Sequence, residues 1–77
     1  MSTGETLVNA LDKALITARD EYQRAVLELA TLEARKETSS DREPAAVDHI
    51  HQARTRTIAL EAAREELVRM IADGAVV

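Results

Sequence analysis

The chain's two histidines stand two residues apart in Asp48-His49-Ile50-His51-Gln52, the one stretch whose residue types invite metal or acid–base chemistry. On a helix, i and i+2 side chains diverge by about 200°, so His49 and His51 cannot ligate one ion from a continuous helix. Asp48 and His51 do have the i,i+3 spacing that two ligands use. There is no cysteine and no second well-placed pair, so the expectation is no metal, with both histidines solvated or at a boundary.

Carboxylates are the other candidates, because 14 acidic side chains include the pair Glu61 and Glu65 and the set Asp20, Glu21 and Glu28. A helical di-metal site needs inward glutamates and a Glu-x-x-His pattern, which this sequence lacks. The better reading is solvated ion pairs at helical spacing, such as Asp20 with Arg24 and Glu65 with Arg69. Neither a glycine-rich phosphate loop nor an ordered Ser/His/Asp set is present. The expectation is therefore no enzyme and no cofactor, with a metal or hydrolytic site around Asp48 and His51 as a minor third hypothesis. Nucleic-acid binding would have to use Arg54 and Arg56, but these diverge around a helix and no aromatic platform accompanies them. The net charge of -4 and pI near 5.1 argue equally against phosphate backbones and anionic membranes, so neither is an expected partner.

Any such residue must be positioned by the elements around it. Seventy-seven residues make one domain, 1–77, and 45% hydrophobic with 1% aromatic content means a core of Leu, Ile, Val and Ala. The breakers cluster in Thr38-Ser39-Ser40-Asp41-Arg42-Glu43-Pro44, with Gly4 and Gly74 near the ends. The prediction is helix 1 over 5–37, a turn over 38–43 and helix 2 over 44–73. Thr3 or Thr6 is the expected first cap, Lys36 suits the far end of helix 1, Asp41 or Glu43 caps helix 2 with Pro44 in its first turn, and Gly74 is its left-handed stop.

Helix 1 carries a heptad stripe of Val8, Leu11, Leu15, Ala18, Tyr22, Ala25, Leu29 and Leu32, widened by Leu7, Ala14 and Val26. Helix 2 answers with Ala46, Ile50, Ala53, Thr57, Leu60, Arg64, Leu67 and Ile71, supported by Val68. Two such helices joined by a short polar link form an antiparallel hairpin of coiled-coil type, in an all-α fold whose contacting residue numbers add to roughly 80. Tyr22 is then expected opposite Thr57, Ala18 near Leu60, Leu29 near Ile50 and Leu11 near Leu67. Arg64 on the seam is expected to pack its stem and send its guanidinium to water, the alternative being a pair with Asp12, Glu21 or a partner's glutamate.

A single seam leaves apolar residues over. Ile16 and Leu27, eleven apart, project together about 140° from the stripe, and Val47 and Ile58 do likewise on helix 2. Covering them would be worth about 1.5–3 kcal/mol per fully buried side chain. The expected interaction face is Ile16, Leu27, Val47 and Ile58, with Arg54, Arg56, Glu61 and Glu65 at its rim, and the expected partner is a second copy, giving a homodimeric four-helix bundle. No run long enough to span a bilayer and no signal-peptide pattern is present, so a cytoplasmic chain is expected. The function this implies is a non-catalytic interaction module, an adaptor or structural subunit. The alternative is a small regulator or inhibitor, of phage or toxin-control type, that blocks another protein with the same faces.

Overall fold

In a computed structural model that describes residues 2–35 and 42–77, the chain is two helices, α1 (Thr3–Arg35) and α2 (Arg42–Ala72). They pack along their length as a hairpin, an all-α rod measuring 56 × 17 × 15 Å. No helix among the described residues is long and apolar enough to cross a membrane. Most of the expected turn, with Lys36 and the Asp41 cap, lies outside the described residues, as do the side chains of Arg42 and Glu43. Both helices begin two residues earlier than expected, and Arg42 and Glu43 belong to α2 rather than to the turn.

The start of α1 corrects the expected cap. Ser2, not Thr3 or Thr6, holds the free amides: its Oγ accepts from the Glu5 amide at 3.2 Å, and its carbonyl accepts from both the amide and the hydroxyl of Thr6 at 3.1 Å. The physical reason is that a cap must stand just outside the helix, and α1 already includes Thr3. Pro44 sits in the first turn of α2, where its missing N–H removes no intrahelical bond.

At the far end Gly74 adopts φ 80°, its amide donating to Ile71 O at 3.1 Å while the Ala75 amide reaches back to Met70 O at 2.9 Å. This is the paired closure of a Schellman motif, and it needs a residue that tolerates the left-handed region. Gly74→Ala is expected to cost about 1 kcal/mol through that strain, read as a lower urea midpoint with an unchanged slope. Past this stop the chain turns back, so that the Gly4 amide donates to Val77 O at 2.6 Å and Gly4 lies against the Ile71 side chain.

Every position of both predicted stripes is buried or half-buried. The fully enclosed ones are small: Ala18 and Ala25 on α1 and Ala46 and Ala53 on α2, each pair one heptad apart, with Leu15 and Thr57 beside them. Alanine at these positions lets the two backbones approach closely, which pushes Leu29, Ile50, Leu60 and Leu67 outward to the half-buried edges of the seam. Thr57 fits because its hydroxyl donates to Ala53 O at 2.9 Å, and among the described residues no buried side-chain polar atom is left unsatisfied. The helices run antiparallel in nearly the expected register. Arg19 with Glu61, Asp12 with Arg64, Glu28 with His49 and Gly4 with Ile71 all have residue numbers adding to between 75 and 80.

Three residues expected to widen or support the stripes do not do so. Leu7, Val26 and Val68 remain exposed, as does Met70. In a two-helix rod each helix has one neighbour, so only the middle of a broad stripe is covered and its margins meet water.

Candidate functional site

Of the four apolar residues placed on the interaction face, Ile16 is 69% exposed, Leu27 68% and Ile58 53%, whereas Val47 is half-covered. At 100° per residue, Ile16 and Leu27 fall on the same side of the α1 stripe as Arg19, and Val47 and Ile58 on the same side of the α2 stripe as Glu61. The Arg19–Glu61 bridge, 3.4 Å between Nη2 and Oε2, therefore crosses the flank between these two apolar pairs. Both its partners are about half exposed, so its contribution is that of a surface pair, under about 1 kcal/mol.

The polar residues assigned to the rim divide between two flanks. Arg54 and Glu65 lie on the same flank as Ile58, with Glu65 accepting from Arg69 at 3.4 Å. Arg56 falls on the other flank of α2. There it lines a shallow open groove with His51, Gln52, Thr55, Ala59, Leu60 and Ala63. Neither Arg54 nor Arg56 has a carboxylate partner among the described residues. A second shallow groove, on α1, includes Arg24, Leu27, Glu28 and Leu32. Sequence reasoning missed the α2 groove. Its signal was the row Ala59 and Ala63, small residues four apart just outside the seam, which leave a depression where larger side chains would have stood.

Arg64 combines the two arrangements: it reaches the half-exposed edge of the seam as expected and meets Asp12 there. Its Nε donates to Asp12 Oδ1 at 2.5 Å, and this bond holds the guanidinium's proton affinity above its ordinary value. The packed stem survives in part, since both side chains are some two-fifths exposed and the pair closes over the edge of the seam. A cation at a seam position needs a counter-charge or water within reach, and the antiparallel register supplies Asp12.

The two histidines differ sharply. His51 is exposed at the mouth of the α2 groove, and Asp48 is also exposed. His49 is half-buried and faces α1, where Glu21 and Glu28 stand two turns apart on one side. Its Nδ1 lies 3.3 Å from Glu28 Oε2 and its Nε2 lies 3.3 Å from Glu21 Oε1. The hydrogen bond with Glu28, then that with Glu21, raises the imidazole's pKa above the ordinary 6.5. These carboxylates address opposite nitrogens of the ring, so the three groups do not converge on one point as ligands of a single ion would. Among the described residues no other three His, Asp or Glu side chains gather in that way.

Compared with known proteins, the chain matches no family model, no curated protein and no solved structure.

Proposed function

We propose that the chain is a non-catalytic interaction module, a self-associating helical hairpin that pairs with a second copy into a four-helix bundle and serves as an adaptor or structural subunit in the cytoplasm. One observation carries this reading. Among the described residues Leu15 is the only large aliphatic side chain the hairpin buries, at 3% exposed, while Ile16, Leu27 and Ile58 stand in water. A folded domain normally encloses its large aliphatic residues, each worth about 1.5–3 kcal/mol when fully covered.

The distribution of apolar residues adds to it. On α1 they favour one side, whereas on α2 Val47, Ile58 and Met70 lie outside the covered stripe. A helix with apolar residues beyond its covered stripe is suited to neighbours on more than one side. A two-fold pair of hairpins gives each helix two neighbours, which is the arrangement of a four-helix bundle. The flank bearing Ile16, Leu27, Val47 and Ile58 forms the contact, with Arg54, Glu61 and Glu65 at its edge. Arg56 on the opposite flank stays outside it. Sedimentation across a concentration series tests this reading: association that grows with concentration supports it, and a single chain throughout overturns it.

A further inference from the structure

The strongest unexplained arrangement is the histidine held between two carboxylates on the neighbouring helix. A neutral imidazole has one N–H, so with a carboxylate oxygen at each nitrogen one of the two contacts sets a lone pair against an anion. A charged imidazolium has two N–H groups and donates to both. We propose that His49, Glu21 and Glu28 form a proton-operated clasp between the helices, closed when the ring is charged and loosened as it loses its proton.

The surroundings of the ring are simple enough to assign the effect. From α1 the facing groups are Glu21 and Glu28, while Arg24, which lies between them in sequence, is paired with Asp20 at 3.0 Å. On α2 itself, the residues one turn away are Ala45, Ala46, Gln52 and Ala53, none of which ionises. Asp48 is adjacent in sequence but projects about 100° away, and Arg56 stands two turns on. Among the described side chains the two glutamates therefore set the behaviour of the ring, and the upward displacement of its pKa agrees with this.

The sign follows from that direction. Because the folded-state pKa is raised, the clasp's stabilisation is complete below the unfolded value of 6.5 and disappears as pH climbs through the higher folded value. All three side chains are between a third and a half exposed, so solvent screens the contact and the effect is local loosening rather than unfolding. Glu28 also lines the α1 groove beside Leu27, so opening the clasp leaves an unbridged carboxylate next to that exposed apolar side chain. The clasp lies within one chain and does not depend on self-association.

The test is a proton NMR titration of the imidazole in a His51→Gln chain, where His49 is the sole histidine, paired with amide exchange over α1 and α2. The expected midpoint lies above 6.5 and moves down when Glu21→Gln and Glu28→Gln are combined. Corrected for the intrinsic pH dependence of exchange, protection of the amides around Glu21–Glu28 and His49 should fall several-fold as pH crosses the midpoint, and this fall should be missing in His49→Gln. A midpoint indifferent to the double glutamine change, or an equal loss of protection in His49→Gln, overturns the clasp. Neither outcome bears on whether two hairpins associate.

Discussion

Placing a charge at both Ile16 and Leu27, as Ile16→Glu with Leu27→Glu, is expected to weaken self-association at least a hundredfold while leaving the helical signal intact. Both side chains point into water in the single hairpin, so glutamate, a good helix former, disturbs nothing within it. In the paired state each change removes an apolar contact worth about 1.5–3 kcal/mol and adds a charge that must be desolvated. Two decades of affinity correspond to roughly 2.8 kcal/mol, which the two changes together exceed. Retention of wild-type association by this variant would move the interface elsewhere, with the groove along Ala59 and Ala63 the next surface to charge.

The second large effect concerns folding. Leu15→Ala removes the one large aliphatic side chain enclosed among the described residues, and truncations of buried leucine cost about 2–5 kcal/mol. Single domains are stable by about 5–15 kcal/mol, and a short hairpin sits at the low end, so this change is expected to consume much of the margin. Denaturant titration followed by helical signal should show the midpoint collapse. A change within about 0.5 kcal/mol, as at a surface site, would mean that the alanine seam is not what holds the helices together.

Leu15 and Ile16, adjacent in sequence, show how much of the molecule could be read without coordinates. Leu15 and Ile16 separate cleanly on a helical wheel, and all the stripe positions turn out covered to some degree because a 3.5-residue repeat leaves little freedom about which side faces the partner. What periodicity does not convey is depth. Leu7, Val26 and Val68 fit the stripe as well as their neighbours, yet they lie at its margins. Coverage there depends on how many helices surround each one, which no single helix's pattern contains.

The polar contacts were legible only where they were local. Asp20 with Arg24 and Glu65 with Arg69 follow from spacing along one helix. The pairing of Arg64 with Asp12, and the seat of His49 between Glu21 and Glu28, depend on the relative register of the two helices to within one turn. Asp12 stood among the carboxylates expected for Arg64, whereas His49 had no particular partner. The rim residue Arg56 falls on the other flank of α2 for a simpler reason. It is two residues from Arg54, and a spacing of two on a helix means nearly opposite directions.

The claim on which the rest depends is that one hairpin exposes more aliphatic surface than it can enclose, so a second copy covers it. Sedimentation equilibrium on the unmodified chain over a wide concentration range measures this directly. Pairing of two hairpins gives a weight-average mass that climbs from the 8.5 kDa of one chain to that of two and then levels off. A mass fixed at 8.5 kDa at every concentration would contradict it.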